Sequence, residues 1–327
     1  MYGYEIFHEK IAENLINNVR SKVAQHAYIF EGERGVGTLE CAKLFAATLV
    51  CKKTEAAPCG NCNACIMAQA DSHPDIFVLT PADGKRNINV DQVREIVSDA
   101  YTKPYESEKK VYIITYGDDM NEQAQNAFLK VLEEPPQYAV FIVLAENNES
   151  LLATIRSRCT KIKFNPVGDN LIREYVRKNY PDDTEKIDFL VQYAGGVVGE
   201  IEKILNTENF VPLREESLDR LWALISPDML DSYEVATFLE ENKEDADLVL
   251  RFWLGFLRDM MLIKNGAEKL IKSSDFVDKL INLSNKTDEE RIVNAIESVI
   301  TAQKMRKRYV NLKAMSLWLA FSIKNNQ

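Results

Sequence analysis

The chain has 327 residues, 28% of them charged, and a formal net charge of −10. This length is sufficient for two or three domains of roughly 100–200 residues each. The acidic balance, with an isoelectric point of about 5.1, argues against a broad nucleic-acid-binding surface, because neutralisation of phosphates dominates such binding. No apolar run reaches the roughly 18–20 residues of a membrane span. Because the N-terminus also lacks a basic, apolar leader, a cytoplasmic location is expected.

The first half of the chain alternates between strand-like and helix-like patterns. Such alternation predicts a parallel β-sheet with helices on its faces. A first amphipathic helix is expected over residues 7–23. The predicted strands cover residues 26–30, 75–79, 111–115, 140–145 and 161–164. The other predicted helices cover 39–50, 90–101, 121–134 and 151–157.

The alternation stops at residues 165–168, where asparagine, proline and glycine interrupt the pattern. A small helical unit is predicted over 169–207, broken at 194–196, and the chain from about 210 onward reads as helix. The predicted domains are therefore 1–166, 167–208 and 209–327. Two apolar clusters on the last helices could line either the core or a partner surface, and the core is the favoured interpretation. They are Phe252, Trp253 and Phe256, and Leu317, Trp318 and Phe321.

Four cysteines cluster in the segment 51–65, within the first predicted domain. They are Cys51, Cys59, Cys62 and Cys65. In a chain expected to be cytoplasmic, this spacing favours a metal over disulfides, and four thiolates suit tetrahedral Zn²⁺. Four sulfurs close the coordination shell, so the predicted zinc site is structural. His73 could substitute as a ligand, but a shell of four sulfurs does not need it. A redox dithiol would require two cysteines rather than four.

A glycine loop at residues 32–39 has the spacing of a phosphate-binding loop but lacks its chemistry. The motif G-x-x-x-x-G-K-[ST] is matched by Gly32 and Gly37, with Gly35 between them. Thr38 stands in place of the lysine that contacts the phosphates, and Leu39 in place of the hydroxyl that holds Mg²⁺. Those two groups carry charge neutralisation in phosphoryl transfer. The loop therefore predicts a nucleotide-hydrolase scaffold that binds nucleotide weakly or not at all.

A second defect lies at the end of the predicted strand 111–115. An ATPase of this type has an acid at the strand end for the Mg²⁺ shell, whereas this chain has Thr115 and Tyr116. Asp118 and Asp119 follow too late and are expected beyond the strand. Lys43, the candidate for a lysine supplied from elsewhere, lies too far along the next helix to reach phosphates. Two independent losses make a degenerate hydrolase the better interpretation.

Several segments in this order resemble bacterial clamp-loader subunits of DNA polymerase III. They are residues 26–32, the cysteine module, residues 126–136 and residues 157–159. The resemblance is strong over residues 8–205 and weaker over the C-terminal helices. It implies an α/β AAA+ P-loop-type parallel sheet with a zinc module, then a helical lid domain and an all-α collar domain. The family includes ATP-hydrolysing motor subunits and non-hydrolysing delta prime subunits, and the defective loop is similar to the latter.

The resemblance implies a role in DNA replication. A delta prime subunit is expected to act as a stator that assembles with motor (gamma/tau) and delta subunits. The assembled complex loads the sliding clamp onto primer-template DNA. The resemblance also implies that Arg158 acts in trans as an arginine finger on ATP bound by a neighbouring motor subunit, because a permanently charged guanidinium meets the γ-phosphate as charge develops. Arg156 is the competing candidate, and an arginine paired with a local acid is the plainer alternative.

Two further positions depart from an ATPase pattern. Glu146 and Asn147 occupy the sensor position where a threonine or serine followed by asparagine is expected, and Glu200 stands where a nucleotide-sensing arginine is common. Both changes weaken the expectation that this chain binds ATP. Two alternatives stay open at this point: an active motor subunit of the same family, and a zinc-bearing nucleic-acid-binding protein.

Overall fold

The computed structural model describes residues 6–82, 87–182, 187–206, 210–226, 232–308 and 310–325. The chain divides into two compact units. The first comprises Met1–Ile187 with Ala194–Glu202, and the second comprises Asp188–Tyr193 with Lys203–Gln327. The finer division into three domains stays a prediction. None of the helices in the described ranges is both long enough and apolar enough to cross a membrane.

The first unit is built on a parallel five-stranded sheet. Its strands lie in the order β2-β3-β4-β1-β5. Every residue of β3 and β4 is buried, as expected for central strands that helices cover on both faces. This arrangement confirms the predicted α/β fold, a parallel sheet with helices on its faces. The strands are β1 (Ala27–Glu31), β2 (Ile76–Leu79), β3 (Lys110–Ile114), β4 (Ala139–Ala145) and β5 (Thr160–Lys163).

The helices of the first unit begin and end where local sequence signals place them. Asn89 caps its helix through a capping box with Gln92, and Asn121 accepts a hydrogen bond from the Ala124 amide. Pro135 and Pro136 follow the helix that Asn121 opens and prevent its continuation. Observed ends differ from the predicted ones by three residues or fewer. The helices are α1 (Glu9–Arg20), α2 (Thr38–Val50), α3 (Asn63–Gln69), α4 (Val90–Ala100), α5 (Glu122–Glu133), α6 (Ala153–Arg156) and α7 (Asp169–Asn179).

The rest of the described chain is helical, as predicted, and has its own apolar core. Phe252, Trp253 and Phe256 are fully buried in it. The indole Nε1 of Trp253 donates a hydrogen bond to the Ser217 carbonyl at 2.8 Å. The helices are α8 (Ile187–Ala194), α9 (Gly199–Asn206), α10 (Phe210–Ile225), α11 (Ser232–Glu241), α12 (Ala246–Lys264), α13 (Val277–Lys286), α14 (Glu289–Lys307) and α15 (Leu312–Asn325).

The core prediction for the second apolar cluster is wrong. Leu317 and Trp318 are only half-buried, and Phe321 is 41% exposed. The helix α15 instead directs Met315 and Leu319, four residues apart, into the core. Leu317 lies two residues after Met315, and Phe321 lies two residues after Leu319. This spacing places them on nearly opposite faces of the helix, and apolar composition alone does not resolve the orientation when residues on both faces are hydrophobic.

Candidate metal centre and nucleotide-binding loop

The four clustered cysteines converge on one point. Their Sγ atoms all lie within 4.8 Å of one another, and the Sγ atoms of Cys59 and Cys65 are 3.9 Å apart. Tetrahedral zinc with Zn–S bonds of about 2.3 Å separates its sulfurs by about 3.8 Å. The sulfur positions therefore fit a Zn²⁺ ion bound by Cys51, Cys59, Cys62 and Cys65.

The local fold explains how the cysteines meet. Cys51 directly follows α2, and Cys62 caps the N-terminus of α3, where its Sγ accepts a hydrogen bond from the Cys65 amide at 3.4 Å. The backbone N–H of Asn61 lowers the pKa of Cys59 to about 6. Burial opposes the ionisation of Cys62, but the amides of Cys65 and Lys52 still lower its pKa. Burial raises the pKa of Cys51 and of Cys65, so Cys59 and Cys62 are the members of the set that favour the thiolate form that metals bind.

A loop next to β3 supports the cysteine module from outside. Asp75 is fully buried, and its carboxylate accepts hydrogen bonds from the backbone amides of Tyr105, Glu106 and Ser107 at 2.5–2.8 Å. These bonds fix the position of Glu106. Its Oε1 accepts hydrogen bonds from Lys52 Nζ at 3.1 Å and from Asn63 Nδ2 at 3.2 Å. Lys52 and Asn63 each adjoin a cysteine of the set, so the loop links the module to the sheet.

His73 is not a member of the metal-ligating set. Its Nδ1 accepts the Asp75 amide at 3.0 Å, and its Nε2 lies 3.2 Å from the Ser107 hydroxyl. Burial lowers the pKa of His73, which keeps the ring neutral in this position. The histidine therefore helps to fix the supporting loop.

The glycine loop joins β1 to α2 in the strand–loop–helix order that its motif requires. Gly35 and Gly37 adopt φ angles of +87° and +106°, a conformation that favours glycine. The loop carbonyls are already paired within the first unit. His8 Nε2 donates to Val36 O at 2.9 Å, and the Gly199 amide donates to Gly35 O, also at 2.9 Å.

The residues that stand in place of the phosphate-binding and metal-binding groups are buried or make other contacts. Thr38 is buried, and the Thr115 hydroxyl donates to the Leu79 carbonyl at 3.0 Å. Leu39 lines a cavity of about 370 Å³ with Thr115 and His73. Lys43 pairs with Asp71 at 2.6 Å, so the candidate substitute lysine already has a carboxylate partner.

The sequence reasoning missed Arg34, which dominates the electrostatics of the loop. Its Nη2 lies 2.8 Å from Asp119 and 3.8 Å from Asp118, and its Nε lies 3.3 Å from Glu146. Its guanidinium carbon is 4.4 Å from the centroid of the Tyr116 ring. Asp118 and Asp119 lie in a turn beyond β3, as expected. The motif leaves the position of Arg34 unspecified, so spacing carried no signal for it.

The two sensor positions also hold groups unlike those of an ATPase. The Asn147 side chain accepts the Glu149 amide at 2.9 Å and so caps a short 3₁₀ turn. Glu200 lies in the first turn of α9 and is 8% exposed. A buried carboxylate beside the glycine loop would oppose a triphosphate electrostatically.

Arg158 lies between α6 and β5, on the surface of the first unit. Its Nη2 is 3.0 Å from Glu133 Oε1, and its Nη1 donates to the Thr154 carbonyl at 2.9 Å. The side chain is 35% exposed. Arg156 differs, because its Nε is buried and has no hydrogen-bond partner among the described residues. Of the two arginines, Arg158 has a partly accessible guanidinium that two contacts hold in place.

Two family models match the chain. One, described as "DNA polymerase III, delta subunit", covers residues 7–168, and the other, described as "DNA polymerase III, delta subunit, C terminal", covers residues 208–314. Together they include the sheet, the cysteine module and most of the C-terminal helices.

Relatives of known name agree with these matches. The DNA polymerase III subunit delta' of Bacillus subtilis is 26% identical over 94% of this chain and 93% of its own length. The subunit delta' of Pseudomonas aeruginosa is 36% identical over 52% of this chain. The match covers about half of that relative's length, 53%. The subunit gamma/tau of Mycoplasma pneumoniae is 31% identical over 57% of this chain, but only 27% of its own length is matched.

Proposed function

Because the chain belongs to the delta prime family of bacterial DNA polymerase III subunits, we propose that it is the non-hydrolysing stator of a clamp loader. It assembles with motor (gamma/tau) and delta subunits in the cytoplasm. The complex loads the sliding clamp onto primer-template DNA during replication. One observation carries the choice of delta prime: the phosphate-binding loop keeps its glycines but has Thr38 and Leu39 in place of the lysine and hydroxyl.

The composition of the loop supports the absence of hydrolysis, because no lysine stands where the β- and γ-phosphates would need one. The lengths of the matches also support the assignment, since the Bacillus delta' aligns over nearly its whole length whereas the gamma/tau relative aligns over 27% of its own. A motor subunit is therefore the weaker alternative.

A nucleic-acid-binding protein with a zinc module is the other alternative, and charge disfavours it. The net charge of −10 opposes phosphate neutralisation by this chain alone. In the proposed role, the chain reaches DNA through the assembled complex. The four-cysteine site then holds a structural Zn²⁺, which would order the segment between α2 and α3 without an open coordination position for catalysis.

We further propose that Arg158 completes an ATP site on the neighbouring motor subunit. The arginine is accessible and is held by a salt bridge to Glu133, a carboxylate that is itself 53% exposed. An exposed ion pair of this kind contributes roughly 0–1 kcal/mol. The guanidinium can therefore exchange Glu133 for a γ-phosphate at small cost.

Reconstitution tests the proposed function. We expect clamp loading by the motor and delta subunits to require this chain, and the isolated chain to show no ATPase activity. The variant Thr38→Lys/Leu39→Thr restores the loop motif and should improve nucleotide binding more than hydrolysis, since the strand-end acid is still missing. Loading at the same rate without the chain, or hydrolysis of ATP by the isolated wild-type chain, would contradict the proposal.

A further inference from the structure

Three carboxylates gather at one edge of the sheet in the first unit. Asp118 and Asp119 follow β3, and Glu146 follows β4 directly. Since β3 and β4 are adjacent and parallel, their carboxyl ends lie side by side, at the edge where open α/β sheets bind ligands. The three side chains are only 13%, 15% and 28% exposed, respectively. Such a group of acids requires a counter-charge.

The counter-charge comes from the glycine loop. The Arg34 guanidinium contacts all three carboxylates, at 2.8 Å, 3.3 Å and 3.8 Å, and stacks on the Tyr116 ring. Burial raises the pKa of Asp118, the neighbouring Asp119 carboxylate adds to that rise, and Arg34 opposes it. The same guanidinium thus satisfies the acids and joins the loop to the ends of two strands.

We propose that Arg34 is a built-in counter-cation that closes the glycine loop without nucleotide or metal. Its planar guanidinium suits several carboxylates at once and is always charged. Gly199 and His8 hold the loop through its backbone carbonyls, and Arg34 adds a side-chain link from the loop to the ends of β3 and β4. The inference rests on the proposed lack of nucleotide chemistry, but it concerns the nucleotide-free chain and is tested there.

The proposal predicts a gain of cation binding when the arginine is removed. In Arg34→Ala, the three carboxylates lose their counter-charge and should bind Tb³⁺, a hard cation that prefers oxygen ligands. Tyr116 lies beside the site, so excitation of tyrosine should sensitise Tb³⁺ emission. Arg94→Ala is the matched control, since Arg94 is exposed and pairs with Asp91 at the surface of α4. Adding Asp119→Asn to Arg34→Ala should abolish the gain.

Amide hydrogen exchange provides the second readout. Residues 32–38 should exchange roughly three- to tenfold faster in Arg34→Ala. Each exposed ion pair is individually weak, but Arg34 contacts three carboxylates, so its removal should have a measurable effect. Mn²⁺ should slow that exchange again in the variant and leave the wild type unchanged. Arg34→Lys keeps a charge but not the planar fork, so it should exchange at an intermediate rate without gaining Tb³⁺ binding.

Equal Tb³⁺ emission from the wild type, Arg34→Ala and Arg94→Ala would overturn the proposal, as would unchanged loop exchange in Arg34→Ala. Neither measurement contains ATP or a partner subunit. ATPase activity in the wild-type chain would therefore refute the proposed function without affecting the test of Arg34. Failure of the Tb³⁺ and exchange measurements would likewise refute the role of Arg34 without affecting the proposed function.

Discussion

Cysteines make up most of the small apolar cluster in the segment between α2 and α3. Its buried members are Cys51, Ala57 and Cys65, with Cys59 and Cys62 packed against them, and this cluster is too small to be a hydrophobic core. Structural zinc sites in small peptides contribute on the order of 10 kcal/mol to folding. In this chain the sheet has its own core, so the metal should order the module rather than the whole unit.

We therefore expect one zinc per chain, lost on substitution of a ligand. Cys65→Ser should purify without stoichiometric zinc and should show fast amide exchange over residues 51–69, with β1 and β4 still protected. Cys159→Ser is the control, because Cys159 lies outside the cluster and should keep the metal. The measurement is elemental analysis of freshly purified, reduced protein. Wild-type protein without metal would refute this expectation.

At the scale of elements, the first turn of α9 packs directly on the glycine loop. A Cβ added at Gly199 would lie 2.9 Å from the Gly35 Cα, and one added at Gly35 would lie 3.0 Å from the Gly199 Cα. The Gly199 amide also donates to the Gly35 carbonyl at 2.9 Å. Two glycines thus permit a backbone-to-backbone contact that any side chain would separate.

Gly199→Ala should therefore destabilise the first unit by about 1–3 kcal/mol, the usual cost of overpacking. Gly255→Ala is a matched control, because it lies within α12 and its added Cβ would meet only the Tyr193 hydroxyl at 3.9 Å. Alanine in a helix interior is favoured over glycine by roughly 0.5–1 kcal/mol, so this control should be neutral or stabilising. Urea unfolding of both variants provides the comparison, and equal midpoints would exclude the packing role of Gly199.

The elements that the sequence predicted well are those whose signals are local. Apolar runs identified the central strands, the helical pattern placed the ends of α4 and α5 to within one residue, and the cysteine spacing identified a group that closes within 4.8 Å. The role of Arg34 depends on residues 85 and 112 positions away along the chain, Asp119 and Glu146. Only the strand order brings these together, and no periodicity or motif encodes that order.

The orientation of the C-terminal helix α15 was a different kind of failure. Apolar residues occupy more than one of its faces, so a pattern of hydrophobic positions does not specify which face is buried. Met315 and Leu319 are buried, whereas Phe321 is exposed and meets the edge of Tyr233 at a centroid distance of 5.9 Å. Neighbouring helices, rather than the helix itself, decide that orientation.

At the scale of the whole molecule, the first unit shows an asymmetry. Its own nucleotide loop is closed by internal contacts, and the lysine, hydroxyl and strand-end acid are missing. Arg158 nevertheless stands on the surface with a guanidinium 35% exposed. The resemblance assigns to this position the role of an arginine finger, which would act on nucleotide bound by a neighbouring subunit. The asymmetry supports action on a partner's ATP.

The corresponding prediction concerns turnover in the assembled loader. Arg158→Ala should leave zinc binding and assembly intact and should lower DNA- and clamp-stimulated ATPase activity. Arginine fingers in GTPases are worth about 10³–10⁵ in rate, but a loader with several ATP sites should lose less in total turnover. Arg158→Lys should rescue only in part, because lysine lacks the planar fork.

Glu133→Gln and Arg156→Ala separate the finger from its neighbours. Glu133 is the partner that Arg158 must leave in order to reach a phosphate, and an exposed pair contributes roughly 0–1 kcal/mol. Glu133→Gln should therefore keep or modestly raise turnover. If the salt bridge were instead needed for folding, Glu133→Gln and Arg158→Ala would both be destabilised to the same degree. Steady-state ATPase and clamp loading at saturating DNA provide the comparison. Loss of turnover in Arg156→Ala with none in Arg158→Ala would move the role to Arg156, and no loss in either would leave the subunit a structural part of the loader.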